Sequence, residues 1–234
     1  MQIKDSVVLV TGANRGIGAE FVRQLAERGA AKIYATARDA STITADGVEA
    51  VALDVTDAER VQAVAAFATD VDIVINNAGV SLGADVLGGD LDTVRREFET
   101  NVFGPLNVTR AFAPILGANG GGAILNVISA LSWFAAEGST SYSMSKAAAW
   151  SLTEGTRVEL AGQGTQVVGL HMALVDTDMT AGFDAPKSTP AAIVTAALDG
   201  LEAGALEVLG DDVTVGVKAQ LHLDPAERYA LLAG

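Results

Sequence analysis

The chain has 234 residues, half of them hydrophobic, with 5% aromatic, 19% charged, no cysteine and a net charge of -14. That is enough sequence for one domain over 1–234 with a full core, and too apolar a composition for disorder. The charge disfavours a nucleic-acid partner and reads as a solvated acidic surface, while the lack of cysteine excludes disulfides and thiolate metal sites.

Residues 7–10 form an apolar run ending in Thr11-Gly12, which reads as a buried strand. Apolar residues then fall at helical spacing over 17–25, and Gly29 supplies a stop. Apolar runs at 32–37, 49–53, 71–75, 123–128, 166–170 and finally 206–210 predict further strands. Helical patterns at 58–67, 91–116, 141–160 and 190–202 lie between them. Strands without polar alternation, separated by helices, predict a parallel sheet covered on both faces. Right-handed crossovers make it a doubly wound, Rossmann-like α/β fold.

Segment 178–188 has no clear period and follows the carboxyl end of a strand, where a substrate lid is expected in this fold. The most apolar stretch, 123–136, is interrupted by Asn126, Ser129 and Ser132 and is too short to span a bilayer. Residues 1–12 lack the apolar region of a signal peptide, so no membrane association and a cytoplasmic location are expected.

Two patterns carry chemistry. "TGANRGIG" at 11–18 lies between the first strand and the first helix, where glycines let the backbone approach a pyrophosphate and the helix N-terminus offers free N–H groups. Tyr142 and Lys146 are four residues apart, so a helix places phenol and ammonium on one face, and a nearby cation favours phenolate. An exposed helix face explains that pair equally well when it is taken alone. His171 and His222 have no carboxylate cluster at ligand spacing, so no metal site is expected.

Together, Thr-Gly-x-x-x-Gly-Ile-Gly at 11–18, "NNAG" at 76–79, "NVFG" at 101–104, Ser129 and Tyr142-x-x-x-Lys146 resemble the short-chain dehydrogenases/reductases over roughly residues 5 to 180. The resemblance implies that Tyr142 is the general acid for carbonyl reduction and the base in reverse, with Lys146 lowering its pKa and binding the nicotinamide ribose. Ser129 is implied to orient the substrate oxygen, with Ser132 the competing candidate. Asn101 is implied to help hold a water beside Lys146, an ordinary helix cap being its bland alternative.

For the cofactor, the resemblance assigns Gly12, Asn14, Arg15, Gly16, Ile17 and Gly18 to the glycine loop, and Asn77, Ala78 and Gly79 to the adenosine ribose side. Asp54 and Val55 would face the adenine, although Asp54 could equally cap the helix ahead of Ala58, as could Thr56 or Asp57. Val175 and Thr177 would bind the carboxamide. Met172-Ala173 stands where the family usually has Pro-Gly, and a positive φ at Ala173 would cost about 1 kcal/mol or more relative to glycine.

The second predicted strand ends at Ala37, not at an acidic residue, and Arg38 follows. The resemblance implies that it and Arg15 bind the extra phosphate of NADP(H), the expected cofactor, unless Asp39 neutralises it. The implied function is reversible reduction of a ketone or aldehyde. No basic cluster stands near the catalytic strand ends, so an apolar carbonyl or alcohol is the expected substrate, and Trp133 and Phe134 are pocket candidates. Helices 91–116 and 141–160 pair across a two-fold axis in the family, so a homodimer or homotetramer is expected. The alternative is a non-catalytic dinucleotide-binding regulator of the same fold.

Overall fold

The computed structural model describes residues 1–232. In chain order it contains β1 (Val7–Val10), α1 (Gly16–Glu27), β2 (Lys32–Ala37), β3 (Glu49–Ala52), α2 (Ala58–Phe67) and β4 (Ile73–Asn76). There follow α3 (Leu91–Phe98), α4 (Gly104–Ala118), β5 (Ala123–Val127), α5 (Thr140–Leu160), β6 (Gln166–His171) and α6 (Pro190–Glu202). The chain continues through β7 (Glu207–Leu209), α7 (Asp212–Ala219) and α8 (Pro225–Leu232). The seven strands form one parallel sheet in the order β3-β2-β1-β4-β5-β6-β7. Sequence order reverses between β1 and β4, which opens a crevice at the carboxyl ends of the strands.

Alternate strand residues face opposite layers, and both layers are apolar, so the strands lack a polar side. Val8 and Val10 belong to the core that contains Phe21 and Leu25 of α1 and Ile193 and Leu198 of α6. Leu9, between them, belongs with Val61 and Val64 of α2 and Val108 and Phe112 of α4 on the other face. Each fully buried side chain of this size contributes roughly 1.5–3 kcal/mol, which is why the sheet centre is the stable scaffold under the site.

The expected helix at 91–116 is broken. α3 and α4 are joined by a π-helical turn at Glu99–Phe103. Pro105 has no N–H to give the carbonyl of Asn101, so the ordinary ladder fails there. A Cβ on Gly104 would also lie 2.7 Å from Val55 Cγ2, so the start of α4 packs tightly against the loop after β3. Such turns are frequent at functional sites, and this one carries Asn101. The sequence reading also missed α7 and α8 and misplaced strand ends by one or two residues. The expected lid, 178–188, is an excursion closed at its base, where Asp176 N–H donates to the Ser188 carbonyl (2.9 Å) and residues 181–186 are exposed.

Candidate active site

The crevice begins at Thr11, the residue after β1. Its hydroxyl accepts from the backbone N–H groups of Asn77 (2.9 Å) and Ala78 (3.0 Å), and Asn77 Nδ2 donates to the carbonyls of Thr11 (2.8 Å) and Gly12 (3.1 Å). The segment after β4 thus holds the glycine loop. Gly12 and Gly16 have φ of +64° and +55°, in the left-handed region that penalises a side chain. A Cβ on Gly18 would lie 2.0 Å from the Gly12 carbonyl oxygen, so α1 can approach the loop only because that residue is glycine.

The first turn of α1 contains no acidic residue and its N-cap, Arg15, makes no side-chain cap, which leaves N–H groups for an anion. Ile17 packs on the core below, and Asn14 is half-buried beside it in the loop. This cradle, closed to any Cβ and open to anions, fits a dinucleotide diphosphate.

Ala13 N–H donates to the Thr36 carbonyl (2.8 Å), which sets the end of β2 beside the glycine loop. Ala37 is buried there and Arg38 is exposed. Asp39, the candidate to neutralise Arg38, instead accepts from the N–H (3.0 Å) and hydroxyl (2.6 Å) of Ser41. Arg15 is ion-paired with Asp178 at 2.8 Å, both side chains largely exposed. Such a surface pair is worth about 0–1 kcal/mol, weak enough to yield to a phosphate.

Asp54 does not cap α2. Its carboxylate accepts from Thr56 N–H (3.0 Å) and hydroxyl (2.8 Å), while Asp57 caps through the N–H of Arg60 (2.9 Å). Val55 is buried and its carbonyl accepts from Asn107 (3.1 Å).

Across the crevice, Ser129 follows β5 and its hydroxyl accepts from the N–H of Leu131 (3.1 Å). It also donates to the Met172 carbonyl (3.5 Å), and it lies near enough to the Tyr142 phenol to oppose the rise in that phenol's pKa. Ser132 is turned away, its hydroxyl 3.2 Å from His171 Nδ1, so Ser129 alone of the two serines is brought to Tyr142. Lys146 lies one turn further along α5, its Nζ 5.6 Å from the Tyr142 ring centre, and donates to the Val127 carbonyl (3.0 Å). Burial pushes the Tyr142 phenol up to about 12, the nearby Ser129 hydroxyl opposing this and Glu97 adding to it. Burial pulls Lys146 down to about 8. By itself, without cofactor, the protein therefore holds the Tyr142 phenol neutral.

Asn101 is no helix cap. Its Oδ1 accepts from Val80 N–H (2.9 Å), and its Nδ2 donates to the Val80 carbonyl (2.9 Å) and Ser145 hydroxyl (3.0 Å). A Cβ on Gly79 would lie 3.3 Å from Asn101 Oδ1 and 3.6 Å from Lys146 Nζ, so glycine keeps the space between them narrow but clear. Val175 is buried, and its carbonyl accepts from the Thr180 hydroxyl (2.5 Å). The side chain of Thr177 sits 3.3 Å from where a Gly16 Cβ would be, against the glycine loop. Ala173 avoids positive φ: Asp5 is the only non-glycine residue there among those described. The conditional strain therefore does not arise at Ala173, whose N–H donates to Asp211 (2.8 Å).

Trp133 is buried, stacked on His171 with ring centres 4.1 Å apart, so it is a wall behind Ser129 and not a pocket surface. The sequence reading also passed over Glu97, fully buried, whose carboxylate accepts from Leu82 N–H (2.6 Å) and the Ser141 hydroxyl. Its position four residues before Asn101, one helical turn away, was the available signal. A cleft of about 770 Å³ adjoins the start of α5, lined by Leu82, Val86, Leu87, Asp85, Glu137 and Thr140 among others, and stops short of Tyr142 and Ser129. Among the described residues no helix is long and apolar enough to cross a membrane.

A parallel doubly wound sheet with a glycine-loop cradle facing a Ser-Tyr-Lys set defines a dinucleotide-dependent oxidoreductase. The family model described as short chain dehydrogenase matches residues 6–188. An uncharacterized oxidoreductase of Staphylococcus saprophyticus is 32% identical over 198 residues, 79% of this chain and 84% of that one. A short chain dehydrogenase from Burkholderia cenocepacia, solved in complex with NADP, is 40% identical, with TM-score 0.95 and full coverage of both chains. A short-chain dehydrogenase from Sphingobium yanoikuyae, in complex with NADPH, is 26% identical with TM-score 0.83, covering 97% of this chain and 95% of that one. The chain belongs to the short-chain dehydrogenase family, and it is an oxidoreductase of that family.

Proposed function

We propose that the protein is an NADPH-dependent oxidoreductase that reversibly reduces a ketone or aldehyde to an alcohol. The observation that carries this reading is the neutral Tyr142 phenol, beside Ser129 and one turn from Lys146, across the crevice from the glycine cradle. The NADP held by the 40% identical Burkholderia protein supports the choice of cofactor.

Gly12, Gly16 and Gly18 with the first turn of α1 hold the diphosphate, and Arg15 and Arg38 hold the adenosine-side phosphate. Asp54, Val55 and the 77–79 backbone flank the adenosine, while Val175, Thr177 and Lys146 hold the nicotinamide end. When bound, NADPH supplies the hydride for the carbonyl carbon. Ser129 orients the carbonyl oxygen, and Tyr142 gives that oxygen its proton, which completes the alcohol; in reverse the phenolate takes the proton back. Lys146 stabilises the phenolate that proton donation leaves. Asn101 serves this path through its backbone carbonyl, since its side chain is committed to Val80 and Ser145.

An apolar substrate fits Leu82, Val86 and Leu87 near the start of α5 and Met179 and Phe183 on segment 178–188, all exposed, with that segment as lid. The cleft lining contains Asp85, Asp90 and Glu137 and no lysine or arginine, which disfavours carboxylate or phosphate substrates. The 1–234 chain acts as one catalytic unit, assembled as a dimer or tetramer.

Tyr142→Phe tests the reading. It removes one hydroxyl, so NADPH affinity and fold persist while turnover on a panel of apolar ketones drops about 10²- to 10⁴-fold. Turnover near wild type would overturn the mechanism, and NADPH binding with no turnover of any panel member by the wild type would favour a regulator.

A further inference from the structure

β6 ends at His171, whose imidazole reaches across to the turn that follows β5. That turn, 129–132, begins with Ser129 and is closed on itself. The Ser132 N–H donates to the Ser129 carbonyl (3.0 Å), and the Leu131 N–H donates to the Ser129 hydroxyl (3.1 Å). Contacts from the end of β6 then tie the turn to the sheet. Ala130 N–H donates to the Met172 carbonyl (2.8 Å), and His171 Nδ1 lies 3.2 Å from the Ser129 carbonyl. A carbonyl only accepts, so the imidazole is the donor there. The Ser132 hydroxyl, 3.2 Å from the same nitrogen, stands beside that bond as a second acceptor.

The other ring nitrogen has no comparable use. Nε2 is buried without a hydrogen-bond partner among the described residues, and the Glu207 carboxylate, 3.8 Å away, is paired with Lys218. A buried polar atom left unpaired is a penalty that an apolar side chain of similar volume would avoid. Packing does not call for it either, since stacking on Trp133, with ring centres 4.1 Å apart, would serve any flat ring. What only a donor at this place supplies is the bond to Ser129.

We propose that His171 is a positioning residue of this active site: its Nδ1–H fixes the Ser129 peptide and, through it, the direction of the Ser129 hydroxyl. The proposal rests on the reading of Ser129 as the group that orients the substrate oxygen. Ser129 has φ of −174° and ψ of 155°, in the broad extended basin, so its peptide is held by contacts and not by backbone sterics. Trp133, stacked on the imidazole and set edge-on to Trp150 of α5 at 6.3 Å, keeps the ring from tilting away.

His171→Asn and His171→Leu separate the hydrogen bond from the bulk. The two new side chains share the same branching and both give up the imidazole stack, but only asparagine keeps an N–H donor at the δ position. The first readout needs no substrate: amide hydrogen exchange of residues 129–133 in the protein alone. His171→Leu exchanges this turn at least about fivefold faster than His171→Asn. The second readout is kcat/KM on an apolar ketone, with Ser129 intact and in a Ser129→Ala background. With Ser129 intact, His171→Leu falls about 10- to 100-fold below His171→Asn, mainly in kcat. In Ser129→Ala the gap closes, because no hydroxyl is left to aim.

Equal exchange in the two variants would overturn the proposal, as would a kcat/KM gap that persists in Ser129→Ala. A loss of stability common to both variants, with no difference between them in either readout, would make His171 a packing residue only. Should His171→Leu not fold, His171→Met, likewise without a donor, is compared with His171→Asn in the same way. Wild-type turnover in Ser129→Ala alone would instead sink the orienting role of Ser129, and the exchange measurement still decides whether His171 holds the turn.

Discussion

His171 gives the sharpest quantitative test of how the wall behind the site is built. It ends β6 with 1% exposure, stacks on Trp133, and places Nδ1 3.2 Å from the Ser129 carbonyl. A backbone carbonyl only accepts, so the bond requires the proton on Nδ1. Burial holds the imidazole at about 4 against an ordinary 6.5, and the Glu207 carboxylate, 3.8 Å from Nε2, is itself paired with Lys218 and offsets little of this. Between those values the unfolded chain binds a proton that the folded one refuses, so stability is present above the unfolded value and is lost on acidification.

The separation of about 2.5 is worth at most about 3.4 kcal/mol, and linkage gives a loss of about 2 kcal/mol between pH 8 and pH 5. His171→Gln removes the titration without adding charge. Urea unfolding at fixed protein concentration should therefore show a stability gap between wild type and variant that narrows by about 2 kcal/mol from pH 8 to pH 5. Carboxylate titrations elsewhere affect both proteins alike and cancel in the difference. A gap constant to within about 0.5 kcal/mol would refute the claim that this histidine is held neutral by its surroundings.

Gly18→Ala would drive a methyl group to within 2.0 Å of the Gly12 carbonyl oxygen and 2.6 Å of Asn77 Nδ2, so the loop must move. A loss of about 1–3 kcal/mol of stability, with at least tenfold weaker NADPH binding by fluorescence titration, is expected. Ala37→Asp combined with Arg38→Leu places a carboxylate where the phosphate would lie and removes one guanidinium. A wild-type preference for NADPH of about 10²-fold in kcat/KM should vanish or invert, and a wild type indifferent to cofactor would sink the arginine assignment. The exposed apolar residues Phe103, Met144 and Val158 on the π turn and α5 are those a two-fold axis would cover. Sedimentation at micromolar concentration should give at least a dimer, and a 23.9 kDa monomer would contradict it.

The fold was legible because its signals are redundant. Each strand is apolar on both faces, and α2 and α6 begin and end where their periodicity says. The break at Glu99–Phe103 was not legible from the apolar pattern, which runs through it; its cause is a missing N–H at Pro105. The loop geometry was readable where the motif dictates backbone, as at Gly12 and Gly18. They were less readable where one side chain chooses among partners. Asp54, Asp57 and Thr56 are equivalent as letters, and only the path of the loop sends Asp57 to the helix and Asp54 to Thr56. Glu97 was invisible for the same reason: a glutamate in a run of charged residues reads as surface until its neighbours are placed.

The helix that carries Tyr142 and Lys146 is docked in an unusual way for a long helix. The buried face of α5 consists of Ser141, Ser143, Ser145, Lys146, Ala149, Thr153 and Thr156, with almost no large apolar residue. Its attachments are directional: Ser141 to Glu97, Ser145 to Asn101, and Thr153 to Asn126, which in turn accepts from Asn76 of β4 (2.8 Å). Net stabilisation from each such bond is only about 1 kcal/mol, less than a buried leucine would give. What directional contacts supply is register. Apolar side chains of similar volume can exchange or slide with little penalty, whereas a buried hydroxyl displaced by an ångström leaves its partner unsatisfied. The proton transfer proposed for Tyr142 would need the donor held to that tolerance, since a misplacement of about 1 Å can cost 10²-fold in rate. A polar dock therefore exchanges some stability for position, on the helix that holds the proposed proton donor.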